Sequence, residues 1–308
     1  MKKILVTPRS LSKNGHPSLD RLRKAGYEVI FPEPGKQPSK QELLDLLPGC
    51  AGYLAGVEPV DADVLVAARD LKVISRNGVG VDNVDLAAAE RLGIRVEKAV
   101  GANSRGVAEL AVTLMLSGLR SVPFSSGRMK AQGWERVNGL EVEGKTLGIV
   151  GCGQIGRYVA KMALGMDMKV LAYDLYPDAA FRPSPDFRYA PLEEIFREAD
   201  VISFHCPPAE KPLVDAAALA SMKPGVYLVN TARAGLTDEA ALLAALESGR
   251  LRGYATDVFA QEPPEPSALI RHDRVIATPH IGGFTAESVD RATGQAVDNL
   301  LKVLEGKG

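Results

Sequence analysis

The chain has 308 residues, 46% of them apolar and 24% charged, with 37 Lys plus Arg against 38 Asp plus Glu and a net charge of −1. A balance of this kind, without a basic run or stripe, excludes the electrostatic footprint of a nucleic-acid binder, and no apolar stretch is long enough to span a bilayer. The length exceeds what one hydrophobic core usually serves, roughly 250–300 residues, so two domains are expected.

Met1–Thr7 has too short an apolar run for a signal peptide and reads as a first strand. From there the residues around Ile4–Thr7, Tyr27–Phe31, Ala51–Leu54, Lys72–Ser75 and Ile94–Glu97 read as short buried strands. Ser18–Lys24, Lys40–Leu47, Asp61–Ala68 and Leu86–Leu92 read as the helices between them. Strands alternating with helices imply a parallel sheet. Ser104 to Leu119 then carries apolar residues at Val107, Leu110, Ala111, Leu114 and Met115, a helical period with Ser104 as N-cap, and reads as the link between two domains. Pro123, Gly127, Gly133 and Gly139 break the period, so an irregular connection is expected. Trp134, the only tryptophan, is assigned to packing, with a pocket or subunit contact as the alternative.

The alternation restarts at Thr146, with strands at Thr146–Val150, Lys169–Tyr173, Val201–His205, Val226–Val229, Tyr254–Asp257 and Arg274–Ala277. A last helix, Ala286 to Leu304, has a stripe of Val289, Ala296, Val297, Leu300 and Leu301 that fits packing back on the first domain. The cysteines Cys50, Cys152 and Cys206 are odd in number and widely spaced. They fit neither a disulfide framework nor a zinc site, so no metal is expected and a reducing cytoplasm is the expected setting.

Thr146–Val150 runs directly into Gly151-Cys152-Gly153-Gln154-Ile155-Gly156, and Asp174 closes the next strand. In this setting GxGxxG signals dinucleotide binding. Gly151 permits the tight turn, Gly153 lets the backbone approach a pyrophosphate, and Gly156 lets the helix pack on the strand. The helix N-terminus offers N–H groups to the phosphates. Asp174 accepts hydrogen bonds from ribose hydroxyls and repels a 2′-phosphate, so NAD is favoured over NADP.

Three later strands end in unusual residues: Asn230-Thr231-Ala232-Arg233, then Val258-Phe259-Ala260-Gln261-Glu262-Pro263, then Thr278-Pro279-His280-Ile281-Gly282. Ligands bind beyond the carboxyl ends of strands in open α/β sheets. A cation there binds and polarises a carbonyl, a histidine donates a proton, and a carboxylate beside the imidazole orients it and favours its protonated form. Taken singly, Arg233 reads as a surface partner of Asp238 or Glu239, Glu262 as a solvated turn residue and His280 as a core or cap histidine. Their joint placement after successive strands favours a site.

The strings GCGQIG, NTARAG, DVFAQEP and TPHIGG resemble the D-isomer-specific 2-hydroxyacid dehydrogenases. So do Ser75-Arg76-Asn77-Gly78-Val79-Gly80-Val81-Asp82-Asn83-Val84-Asp85 and Gly101-Ala102-Asn103-Ser104 with Val107-Ala108-Glu109-Leu110. The similarity runs in order along nearly the whole chain and looks like the phosphoglycerate dehydrogenase-like branch in short form, without a regulatory domain after the last helix. The resemblance implies an α/β fold of two doubly wound parallel-sheet domains. A Rossmann NAD-binding domain, 102–282, would be inserted in a flavodoxin-like substrate domain built from 1–101 and 283–308, with a cleft between them. It implies that Arg233 binds the substrate carboxylate and carbonyl, that His280 is acid and base, and that Glu262 is its partner. Val79 and Gly80 would offer N–H groups to the carboxylate. Gln154 and Ile155 would cover the pyrophosphate and Asp257 would hold the nicotinamide carboxamide. Cys206 and Pro207 would border the adenosine side, with Thr231, Ala232 and Gly282 completing the cofactor set. His205 is left non-catalytic. A homodimer is implied, with Ser104–Leu119 as a contact.

One region departs from the family. Phosphoglycerate dehydrogenases usually carry an Arg-Ser-like pair after the third strand, near the substrate phosphate. Here the segment reads Leu54-Ala55-Gly56-Val57-Glu58-Pro59, with no cation, and Glu58 would repel a phosphate. Arg76 is the available substitute. Phosphoglycerate, hydroxypyruvate, glyoxylate or another small 2-keto acid stay open as substrates. Two other readings stay open as well: a formate-type dehydrogenase, which Glu262 argues against, or a phosphite-type one, and an NAD-sensing corepressor-like interaction protein, which would usually carry peptide-binding extensions.

Overall fold

A computed structural model describes residues 1–208 and 210–306. The chain forms two compact units, one made of Met1–Asn103 and the segment from Gly283 onward, the other of Ser104–Gly282.

In the first unit the strands are β1 (Lys3–Val6), β2 (Glu28–Ile30), β3 (Cys50–Ala55), β4 (Val73–Arg76) and β5 (Arg95–Lys98). They pair in parallel in the order β2-β1-β3-β4-β5. This is the flavodoxin-like order, whose topological switch point lies between β1 and β3. β3 and β4 are buried along their whole length, as strands covered on both faces must be. Helices begin where a side chain can satisfy an orphan N–H. Ser39, Asp61 and Asp85 accept from the backbone of Glu42, Val64 and Ala88, opening Lys40–Leu46, Ala62–Ala67 and Leu86–Arg91. One face of the sheet packs on these helices through Leu43, Val64, Leu65 and Ala88. The other packs on Leu19, Leu22 and the helix Ala286–Leu304 through Ala296, Val297 and Leu300. Each of those aliphatic side chains larger than alanine contributes about 1.5–3 kcal/mol on burial, which ties the C-terminal helix to the N-terminal sheet.

The second unit contains β6 (Thr146–Val150), β7 (Lys169–Tyr173), β8 (Phe187–Tyr189), β9 (Val201–Phe204), β10 (Val226–Asn230), β11 (Leu251–Thr256) and β12 (Val275–Ala277). All pair in parallel in the order β12-β11-β10-β9-β6-β7-β8. This is the Rossmann order extended by one strand, with its switch point between β6 and β9. One face is covered by Ser104–Leu119 and Gln154–Leu164 through Ala108, Ala111, Met115, Val159 and Ala163. The other is covered through Ile195, Leu219, Leu242 and Leu269. Among the described residues no single helix is long and apolar enough to cross a membrane.

The structure differs from the sequence-based expectation at particular places. The connection after Leu119 is not irregular throughout, because Val122–Lys130 is a helix. Pro123 lies in its first turn, where a missing N–H costs nothing, and the helix buries no residue, so it has no apolar period to detect. Ser104 is the first helical residue rather than a cap, and its hydroxyl donates to Gln154 Oε1 at 3.2 Å. Trp134 is 79% exposed, which overturns its assignment to packing. Arg9–Asn14 and β8 are short elements that the pattern did not reveal.

Candidate functional site

The glycine turn divides its labour as the chemistry of a dinucleotide demands. Gly151 has φ +97°, and a Cβ there would lie 2.6 Å from Cys206 N, so only glycine fits between the two strand ends. A Cβ at Gly156 would lie 2.2 Å from Gly151 O, so helix and turn touch directly. At Gly153 a Cβ would meet nothing within 4 Å. That open side faces the start of Gln154–Leu164, whose N-cap, Gly153, has no side chain to bond the first N–H groups. An anion can take those donors. Gln154 is exposed at the first position, while Ile155 is partly buried against the core.

Asp174 follows β7. Its Oδ2 accepts from Cys152 N at 2.8 Å and its Oδ1 from Tyr176 N at 2.9 Å. The carboxylate is thereby fixed beside the glycine turn, with a further lone pair on each oxygen for ribose hydroxyls. The Asp174→Ala variant should bind NADH about ten- to a hundredfold more weakly, since hydrogen bonds to a charged group contribute about 1.5–3 kcal/mol. Its preference for NADH over NADPH should narrow. Equal efficiency of the two cofactors in the unmutated protein would contradict this role.

Across the switch point, the thiol of Cys206 is half-buried, and burial pushes its pKa up to about 11. Pro207 is exposed beside it. His205 contacts Ser203 Oγ through Nε2 at 2.9 Å, its Nδ1 is shielded without a partner, and burial pushes its pKa down to about 3. At the end of β10, Asn230 is fully buried and holds the following loop at both ends, accepting from Ala232 N at 3.1 Å and donating to Arg233 O at 2.9 Å. Thr231 Oγ1 is buried without a partner. Such a group needs a bond from somewhere, and a bound cofactor can provide it. The open Gly153, the bare helix start and this hydroxyl together fit a dinucleotide.

Arg233 emerges from that loop in extended conformation, with Nη1 donating to Ala232 O at 2.7 Å. Asp238, one of its candidate surface partners, uses its carboxylate to cap Glu239–Glu247 instead. Glu262 and His280 are brought together: His280 Nδ1 lies 2.8 and 2.7 Å from the two oxygens of Glu262. Glu262 also accepts from Phe259 N at 3.2 Å, so the carboxylate is held and does not simply face water. Their side chains are 50% and 38% exposed, so the imidazole is reachable. With Nδ1–H given to Glu262, Nε2 is left as the atom that can exchange a proton.

Asp257 supports this pair from below. It is buried, and its Oδ1 accepts from Thr278 Oγ1 at 2.6 Å and Ile281 N at 2.8 Å, while Oδ2 accepts from Gly282 N at 2.7 Å. These bonds brace His280, whose φ is +51°, a conformation costing a non-glycine residue about 1–2 kcal/mol. Three acceptor sites of Asp257 are thus taken and one on Oδ2 remains for an outside donor. The sequence shows only the trace of this bracing, an acid directly after a buried strand.

Val79, Gly80 and Arg76 belong to the first unit. Val79 is exposed, and neither its N–H nor that of Gly80 donates a backbone–backbone hydrogen bond among the described residues. Arg76 is buried, and its Nε donates to Gly80 O at 2.8 Å and its Nη1 to Ala55 O at 2.9 Å and to Gly56 O. It braces the loops after β3 and β4 from a buried position rather than pairing on the surface. Glu58 is likewise turned inward. Among the described residues no three His, Cys, Asp or Glu side chains gather as a metal site.

Residues 112–282 match the model of the D-isomer specific 2-hydroxyacid dehydrogenase NAD binding domain. The chain is 41% identical over 291 residues to D-3-phosphoglycerate dehydrogenase of Homo sapiens, covering 93% of this chain and 54% of that protein. It therefore spans about half the length of the curated relatives it matches. Among solved structures, TT0316 protein from Thermus thermophilus superposes with a TM-score of 0.88 at 38% identity, covering 99% of this chain and 97% of that one. A cofactor(NAD+)-bound 3-phosphoglycerate dehydrogenase from Entamoeba histolytica superposes with a TM-score of 0.82 at 28% identity, covering 100% and 96%.

Proposed function

Because the chain belongs to the D-isomer specific 2-hydroxyacid dehydrogenase family, we propose that it interconverts a small D-2-hydroxy acid and its 2-keto acid, with NAD as cofactor. The observation that carries this reading is the bidentate approach of Glu262 to His280 Nδ1 on a turn braced by Asp257. In this proposal the unit Ser104–Gly282 binds the cofactor and the unit built on Met1–Asn103 receives the substrate. The remaining partners are those of the family expectation: a second copy in a cytoplasmic homodimer, and neither nucleic acid nor membrane.

Reduction adds a hydride to C2 of the keto acid and a proton to its oxygen. Bound NADH supplies the hydride and is left as NAD⁺. Arg233 pairs with the substrate carboxylate and polarises the carbonyl, because a planar guanidinium meets two oxygens at once. His280 delivers the proton from Nε2, and in the reverse direction removes it. Glu262 accepts from Nδ1–H, which fixes the tautomer and the ring orientation. Asp174 and the Gly151–Gly156 turn anchor the adenosine and pyrophosphate. The test is NADH consumption with a panel of 2-keto acids. Turnover of at least one is expected, and failure of the folded, NADH-binding protein with every member would overturn the reading.

A further inference from the structure

In an open parallel sheet the ligand crevice lies where the chain order reverses, and in the first unit that is between β1 and β3. The crevice is occupied by the chain itself. Glu58, which follows β3, is 1% exposed. Its Oε1 accepts from the Thr7 hydroxyl after β1, from the Tyr53 phenol, and from Gly56 N at 2.8 Å. Burial, and then the Glu58 charge, hold the Tyr53 phenol well above its ordinary pKa, so it stays protonated and donates. A Cβ on Gly56 would lie 2.6 Å from Glu58 Oε2 and 3.3 Å from Pro8 Cα, so the carboxylate sits directly on the turn. Asn83 Nδ2 donates to Glu58 O at 2.6 Å and holds the segment from the other side. Beside it, Arg76 gives its guanidinium to the carbonyls of Ala55, Gly56 and Gly80.

A strand-end N–H and a guanidinium are what an incoming phosphate would use. Both are engaged by the chain's own carboxylate and carbonyls, and the niche already holds one negative charge. We propose that Glu58 is a specificity-determining residue. It sets the substrate as an unphosphorylated 2-keto acid with a small uncharged substituent on C2, and rejects one bearing a second anionic group there. The proposal rests on the reading of the chain as a 2-keto acid reductase. The physical ground is that a fixed like charge deters the wrong ligand. It also sets this chain apart from the phosphoglycerate dehydrogenases it resembles.

The experiment compares kcat/KM for hydroxypyruvate and for its 3-O-phosphorylated form with NADH, in the unmutated chain and in Glu58→Gln. The amide retains an oxygen for Thr7, Tyr53 and Gly56 but loses the charge. The unmutated chain should favour the unphosphorylated acid by about 100-fold or more, and Glu58→Gln should lower that ratio by about tenfold or more. A purely structural disturbance would depress both substrates and leave the ratio unmoved, which would overturn the assignment. So would a preference of the unmutated chain for the phosphorylated acid. Should Glu58→Gln fail to fold, the unmutated chain still decides. The phosphorylated acid should then inhibit hydroxypyruvate reduction only at concentrations far above the hydroxypyruvate KM, and inhibition below that KM would refute the proposal. Inactivity of the unmutated chain toward every 2-keto acid would instead sink the underlying functional reading.

Discussion

Replacing His280 with alanine should lower kcat for keto-acid reduction about 10²–10⁴-fold, the usual scale for a positioned acid or base, with NADH binding retained. The geometry explains why the loss should fall on chemistry. The imidazole contacts Glu262 through Nδ1, and its side chain is half exposed. The turn beneath it hangs on Asp257 through the backbone of Ile281 and Gly282, so removing the ring leaves the main-chain bonds in place. The Glu262→Gln variant should show a smaller loss of the same kind. An amide can present NH₂ to Nδ1 and so favour the tautomer with the proton on Nε2, which cannot take a proton from the hydroxy acid, so the loss should be larger for oxidation than for reduction. Steady-state rates and NADH titrations on both variants check this. A His280→Ala protein with undiminished kcat would remove His280 from the chemistry.

Arg233→Ala should lower kcat/KM about 10²–10³-fold, since stripping one partner from a desolvated charge pair costs about 2–5 kcal/mol. Its backbone oxygen, not its side chain, is what Asn230 holds, so the loop after β10 should survive the truncation. Arg233→Lys should recover only part of the loss, because a point charge replaces a planar fork poorly. NADH binding should change little in either variant, while the keto-acid KM rises. Normal turnover of the best keto acid by Arg233→Ala would show that the substrate carboxylate is bound elsewhere.

Much of this was legible in the sequence because it depends on short-range signals. The strands β3, β4, β6 and β9 are short, mostly apolar runs bounded by turn residues, and each lies within a residue or two of where the pattern puts it. The glycine turn was readable because only glycine meets the close approaches at Gly151 and Gly156. Less was legible wherever a side chain's partner is remote in sequence. Glu58 reads as an exposed acid before a proline, yet Thr7, 51 positions away, buries it in a hydrogen-bonded cluster. Arg76 reads as an available cation, yet it answers carbonyls about 20 residues upstream. The helix Val122–Lys130 buries nothing, so periodicity carried no record of it, and Trp134 shows that a large aromatic need not be in a core.

The most direct test of the central claim is the configuration of the product. The unmutated protein is incubated with NADH and whichever 2-keto acid of the panel that yields a chiral alcohol turns over fastest. The hydroxy acid formed is then resolved on a chiral column. The account predicts the D-2-hydroxy acid alone, formed in equal amount to the NADH consumed. A racemic or L-configured product, or NADH oxidation without a hydroxy acid, would contradict it.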